Sequence, residues 1–299
     1  MNKKILLPLD GSKISEEALP YVIELAGKLV ADVVLYHVHR NETPEQEHID
    51  QIYLEVITSM IERNTRHILP EGSEIQITTK MENGEAASNI CNLVDTDKLD
   101  MIIMTAASSS GLKIGKMIGS VADHVCRTVS VPVMLIRPGN VRQNIEAGSL
   151  ITHILVPLDG SEISKSALPV AEELATKSKA KITLFRMATE LIPFYDSATY
   201  GMVIDYARYD EVANNLAVAE MAVLEKELKT SGIDATSVVG SGYDAAYQIL
   251  EISKKMNIDL VVMTTHGRSG LGRWLLGNVA ERVLRHSEVP LLLVHARAR

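Results

Sequence analysis

Aromatic residues are scarce in this chain of 299 residues: they make up 4%, with one Trp and two Phe. That leaves little stacking surface for bases or sugars. Cysteine is scarcer still, with only Cys91 and Cys126. Both fall in apolar helical patterns, so buried thiols are expected, not a disulfide or a metal site. An excess of positive charge is also missing. The formal net charge is −8, which disfavours nucleic acid and anionic membrane surfaces as partners. No apolar run approaches the roughly 20 residues of a membrane-spanning helix. The run after Lys3 and Lys4 is too short for a signal peptide, so the expected address is the cytoplasm. A Walker A loop, a carboxylate–histidine–hydroxyl set and a metal-ligand spacing are all missing from the sequence. No enzyme is expected on these grounds.

What the chain does have is a repeat. Ile5-Leu-Leu-Pro-Leu-Asp-Gly-Ser-Lys-Ile-Ser-Glu-Glu-Ala-Leu-Pro20 returns as Ile154-Leu-Val-Pro-Leu-Asp-Gly-Ser-Glu-Ile-Ser-Lys-Ser-Ala-Leu-Pro169. Met101-Ile-Ile-Met-Thr105 returns as Leu260-Val-Val-Met-Thr264, and Gly119-Ser-Val-Ala-Asp returns as Gly277-Asn-Val-Ala-Glu. A period near 150 residues marks a duplicated domain, expected as 1–140 and 150–299. The join falls in the polar stretch from Pro138 to Ser149.

Each copy alternates short apolar runs with amphipathic stretches. The first predicts strands near 3–9, 32–38, 74–80, 100–105 and 132–137, with helices near 13–29, 44–68, 85–96 and 119–129. The second predicts strands near 152–158, 181–187, 234–240, 259–264 and 290–295, with its long second helix near 207–230. Nearly all-apolar strands separated by helices imply an α/β fold: two tandem doubly wound five-stranded parallel sheets in the order 3-2-1-4-5. The fifth strands would then be apolar edges, and the two halves are expected to pair through them as a pseudo-dimer. No specific residue marks a further homodimer or a protein partner.

In such sheets ligands bind beyond the carboxyl ends of the strands. Asp10-Gly-Ser12 and Asp159-Gly-Ser161 follow the first strand of each copy. Their serines read as helix N-caps; their aspartates read equally as turn formers or as ligands to a sugar or metal ion. After strand four of the second copy comes a glycine-bearing loop with Gly267, Gly270, Gly272 and Gly277, then a helix starting at Asn278. Glycines and a helix start offer amides to an anion, or simply make turns. Within the loop, Arg268 either pairs with phosphate oxygens or is solvated, and His266 either does the same or holds the loop. The stretch from Ala188 to Tyr206 reads as a lid or as an ordinary surface loop. The acidic stretch from Glu42 to His48 reads as a solvated face.

These features together resemble the universal stress protein family, in two copies. ATP-binding members carry Gly, two residues, Gly, nine residues, Gly, then Ser or Thr. Here Thr264 stands in the first place, Gly267 and Gly277 keep their spacing, and Asn278 stands in the last. The first copy departs further, with Ser108 in place of the second glycine and one more residue before Gly119 and Ser120. The resemblance implies an adenine nucleotide alpha-hydrolase-like fold and ATP in at least the second half, with Mg²⁺ held by the phosphates and not by protein side chains. It implies Pro157, Leu158 and Asp159 beside adenine and ribose, and the backbone of Met187 on adenine. Gly267, Gly277, Asn278 and Val279 would hold the phosphates, with Met263, Thr264, His266 and Arg268 alongside. The matching second site would use Pro8, Asp10, Val38, Thr105, Ser108, Gly119, Ser120 and Val121. The resulting expectation is a cytoplasmic stress-response regulator or sensor that binds ATP. A scaffold without nucleotide is the alternative, and a slow ATPase the third reading.

Overall fold

The computed structural model describes residues 2–39, 43–107, 118–139, 149–188, 206–265 and 276–295, with backbone alone for 206–210. The first half runs β1 (Lys4–Leu9), α1 (Lys13–Glu16), α2 (Leu19–Leu29), β2 (Asp32–His39), α3 (Pro44–Thr65), β3 (Ile77–Asn83), α4 (Ala86–Thr96), β4 (Met101–Thr105), α5 (Ser120–Thr128) and β5 (Val133–Ile136). The second repeats it as β6 (His153–Leu158), α6 (Glu162–Lys165), α7 (Leu168–Ser178), β7 (Lys181–Met187), α8 (Tyr206–Thr230), β8 (Ala235–Gly240), α9 (Ala245–Lys255), β9 (Leu260–Thr264), α10 (Asn278–His286) and β10 (Leu291–Val294).

The strands form one ten-stranded sheet in the order β3-β2-β1-β4-β5-β10-β9-β6-β7-β8. Each half is parallel and has the order 3-2-1-4-5. The central strands are apolar throughout because both faces are covered; every residue of β4, β5, β9 and β10 is buried. The halves meet where β5 and β10 pair antiparallel, with Met134 opposite Leu292. The edges that the sequence left apolar thus cover each other.

Two features differ from the sequence reading. The helix expected over 13–29 is broken into α1 and α2, as is its twin into α6 and α7. Pro20 and Pro169 lack the amide that a continuing helix needs, and each stands instead in the first turn of the second piece. Strand β3 starts three residues later than expected. The Gln76 amide is taken by the Asp32 carboxylate at 2.9 Å, and the ladder runs on until Asn83 faces His39 at the end of β2.

One core layer packs α2, α3, α7 and α8 on one face of the sheet, and another packs α4, α5, α9 and α10 on the other. Both layers contain residues of both halves, so the join has no seam in its core. Side chains fasten it further. Arg137 donates to the Ser287 and Leu284 carbonyls at 2.8 and 2.6 Å, closing the C-terminus of α10. Lys3 pairs with Glu173 of α7. The buried Glu24 of α2 accepts from the Leu150 amide at 2.6 Å and from Lys28 Nζ at 2.6 Å. Cys126 is buried and Cys91 half-buried, both free, and burial pushes both thiols up. Residues 43–48 open α3 as an exposed turn, with Thr43 as its cap and Glu45 and Glu47 at its positive end. Among the described residues no helix is long and apolar enough to cross a membrane.

Candidate functional site

In each half the chain leaves the sheet at the carboxyl ends of the first and fourth strands in opposite directions, and this opens a crevice. In the first half the crevice is a cavity of about 100 Å³. That is smaller than the roughly 300–1,000 Å³ of pockets that enclose whole ligands, and suits a flat ring with the rest of a molecule outside. Its apolar wall includes Pro8, Tyr36, Val38, Ile90, Met104 and Val121, and its polar rim includes Asp10, Ser15, Thr105 and Gly119.

The backbone of β2 ends here in a particular way. The Asp32 amide donates to the Lys3 carbonyl of β1's side at 2.7 Å, and the Val33 amide donates to the Gln76 carbonyl of β3's side at 2.8 Å. Alternate residues therefore address alternate neighbours. Val38 addresses β1's side, yet β1 has ended opposite His37. Its carbonyl thus faces past the strand end into the crevice. The second half repeats this: Lys181 donates to Thr152 at 3.0 Å and Ile182 to Asp234 at 2.8 Å. Met187 accordingly faces past the end of β6, which stops opposite Arg186.

The opposite lip is a helix start. Gly119 and Gly277 donate their amides to the Ala106 and Thr265 carbonyls at 2.8 and 2.7 Å, which closes the neck of each loop. They are the N-caps of α5 and α10, and among the described residues neither helix has a side-chain cap. The first-turn amides at Ser120 and Val121, and at Asn278 and Val279, therefore present donors and the positive dipole end.

Ser12 and Ser161 cap α1 and α6, as expected from the sequence. Asp10 Oδ1 in turn accepts from the Ser12 amide at 3.1 Å and its hydroxyl at 2.5 Å. Asp159 Oδ1 does the same with Ser161, at 2.9 and 2.6 Å. One oxygen of each aspartate thus holds the turn, while Asp10 as a residue lines the cavity.

Six of the eight first-half candidates line the cavity: Pro8, Asp10, Val38, Thr105, Gly119 and Val121. Ser120 opens α5, and Ser108 lies outside the described residues. In the second half Pro157, Met187 and Met263 share the face of the sheet that carries Leu276 and Ala280, by strand alternation and core packing. Leu158 points to the other face, into the core of α7 and α8, so only its backbone reaches the crevice. Thr264 ends β9, and Gly277, Asn278 and Val279 start α10. His266, Gly267 and Arg268 lie outside the described residues, as does most of the stretch from Ala188 to Tyr206.

Sequence reasoning missed the back wall. The buried Tyr36 donates to Glu82 Oε2 at 2.7 Å, and burial, then Glu82, pushes its phenol well above the usual range. Asn89 Nδ2 donates to the Asn83 carbonyl at 3.2 Å, beneath Gly84 at φ +137°. A Cβ on Gly84 would sit 3.1 Å from that nitrogen. These contacts fix the start of α4, which places Ala86 and Ile90 against the cavity. The available signal was the spacing of Tyr36 to Val38, which puts both on one face of β2.

The model of the universal stress protein family matches residues 1–137 and 151–295. The universal stress protein YxiE of Bacillus subtilis is 28% identical over 148 residues, covering 48% of this chain and 99% of the relative. A universal stress protein of Methanocaldococcus jannaschii is 29% identical over 146 residues, covering 49% of this chain and 83% of its own. A crystal structure of a universal stress protein from Archaeoglobus fulgidus matches the whole fold with TM-score 0.67 at 18% identity, covering 98% of this chain and 96% of that one. The first two relatives each span about half of this chain, and the third nearly all of it. The chain belongs to the universal stress protein family and carries its domain twice in tandem.

Proposed function

We propose that the protein is a cytoplasmic stress-response regulator that binds ATP in the crevice of each half, with adenine in the apolar slot and phosphates at the helix start. The observation that carries this is the convergence of a strand-end carbonyl and an uncapped helix start on one apolar cavity. Adenine offers an exocyclic amine to a carbonyl such as that of Val38 or Met187, and its flat ring fits between Pro8, Ile90 and Val121. Triphosphate oxygens suit the amides of Ser120 and Val121, and of Asn278 and Val279. Asp10 and Asp159 stand where a ribose hydroxyl would lie. Mg²⁺ would be held through the phosphates.

The sequence favours the second half because its loop keeps the family spacing. The described cavity favours the first half as well, since its strand ends and helix start are in place despite the altered loop. Binding without turnover follows from the acids. Asp10 and Asp159 each spend an oxygen on a turn, which is a poor arrangement for a base that must activate water.

A fluorescent adenine nucleotide bound to the purified chain should be displaced by ATP at micromolar concentration and much less well by GTP, whose exocyclic groups mismatch a lone carbonyl acceptor. Failure of ATP to compete near millimolar would leave the scaffold reading in its place.

A further inference from the structure

Because the halves are copies, positions that differ in kind between them are informative, and three neighbouring ones change together. The inward residues Leu54, Ile57 and Ile61 of α3 return at the same spacing as Met221, Leu224 and Leu228 of α8, so Tyr53 corresponds to Glu220. Four residues after the capping serine, Glu16 of α1 corresponds to Lys165 of α6. His37, opposite Leu9 in its ladder, corresponds to Arg186, opposite Leu158.

In the first half Tyr53 fills the space between α3 and α1. Its ring packs on the core layer and its hydroxyl is buried. Burial, then the charge of Glu16, pushes its phenol above the usual range. In the second half Glu220 brings no ring and turns to pair with Arg186. The space stays open there as a cavity of about 390 Å³ between β6, α6, β7 and α8. That lies within the roughly 300–1,000 Å³ of small-molecule sites. Among the described residues its apolar lining includes Leu158, Met221 and Leu224, the first two buried. Its charged lining is two cations, Lys165 and Arg186, and two anions, Glu220 and Glu227.

These charges decide the class of ligand. An anion alone would meet Glu220 and Glu227, and a cation alone would meet Lys165 and Arg186. A zwitterion is met on both counts. Its carboxylate suits the guanidinium of Arg186, which is held in place from behind: a Cβ on Gly160 would be 2.6 Å from Arg186 Nη2. Its ammonium suits Glu220 and Glu227, both exposed acids. The ion pairs that it would open are weak ones. Glu220 is 55% exposed, and Glu162, which holds Lys165 at 2.8 Å, is more exposed still.

We propose that this cavity binds a small zwitterion with an apolar side chain, an α-amino acid or a short peptide of such residues. The carboxylate lies on Arg186, the ammonium between Glu220 and Glu227, and the side chain on Leu158, Met221 and Leu224. Tyr53 occupies the matching place in the first half, so one ligand binds per chain. The site lies on the face of the sheet covered by α7 and α8, whereas the crevice proposed for the nucleotide opens on the face of α9 and α10. The two stand back to back, and Gly160 of the turn after β6 lines this one.

Calorimetry and ligand-observed NMR of the full chain without nucleotide test this. L-leucine or L-leucyl-L-leucine should bind with a dissociation constant below about 1 mM, and the tighter of the two tells a free amino acid from a peptide. Isocaproate, which lacks the ammonium, and isoamylamine, which lacks the carboxylate, should each bind at least about tenfold more weakly. Glu220→Tyr gives α8 the side chain of its twin and should abolish binding. If that variant folds poorly, Glu227→Lys, at an exposed position, should weaken L-leucine at least about tenfold. Hydrogen exchange should show the added protection in residues 160–165 and 220–227. No binding of either zwitterion at about 10 mM, a single-charge analogue that matches L-leucine, or wild-type affinity in the variants would overturn the site. No nucleotide enters the measurement, so its outcome is separate from that of the ATP reading.

Discussion

Leu292→Lys is expected to destabilise the whole chain by at least about 3–5 kcal/mol, the cost of an uncompensated buried charge. Leu292 is fully buried in β10, opposite Met134 across the join and Val262 within its own half. Its side chain belongs to the core layer that also holds Ile5, Leu25 and Ile154. An ammonium placed there would point off the sheet into that apolar layer, with the helices packed over it between its four-carbon stem and water. Because both core layers cross the join, the wild-type chain should unfold in urea as one cooperative transition. The variant should unfold at a much lower midpoint or in two separate steps, one for each half. An unchanged single midpoint would mean that the β5–β10 pairing does not hold the halves together.

Glu24→Ala should cost about 3 kcal/mol, although Glu24 lies far from either crevice. The carboxylate is 4% exposed, which matters because the donors it satisfies have little water to fall back on. It accepts from the Leu150 amide, the Ile151 amide at 3.4 Å, the Ser149 hydroxyl and Lys28. These groups sit where the chain re-enters the fold ahead of β6. Alanine takes away the acceptor of the buried Leu150 amide, and leaves the Ile151 amide and Lys28 Nζ with the Ser149 hydroxyl alone. Glu24→Gln keeps one acceptor oxygen and loses the charge, so about half the effect is expected. Urea midpoints of the three proteins check the ranking. Equal midpoints for alanine and wild type would show that the connection between halves is not fastened at α2.

Most of the fold was written in the sequence because it is written there twice. The repeated Pro-Leu-Asp-Gly-Ser and Met-Thr stretches fixed the strand ends, and two apolar fifth strands implied a shared edge. What escaped was anything set by a neighbour. The extent of β3 depends on where β2 stops, and its own alternation is silent about that. The break between α1 and α2 was legible in Pro20, but the apolar spacing on either side of it reads as one helix. Along the cavity, residues adjacent to motifs were legible, such as Asp10 and Gly119, which line it. Tyr36 and Glu82 were not, because they are 46 residues apart and meet only through strand register. The exchange of His37 for Arg186 is visible in the aligned repeats, yet only the structure puts a carboxylate beside each.

The most direct test of the nucleotide reading is calorimetric titration of the chain with ATP and Mg²⁺, beside Gly119→Val and Gly277→Val. Each glycine is the N-cap of its helix, and a branched side chain there would crowd the position proposed for the phosphates. The account predicts two sites per wild-type chain, with one lost in each variant and affinity there reduced at least about a hundredfold. Heat unchanged in both variants, or no heat from wild-type protein freed of carried-over ligand, would contradict it.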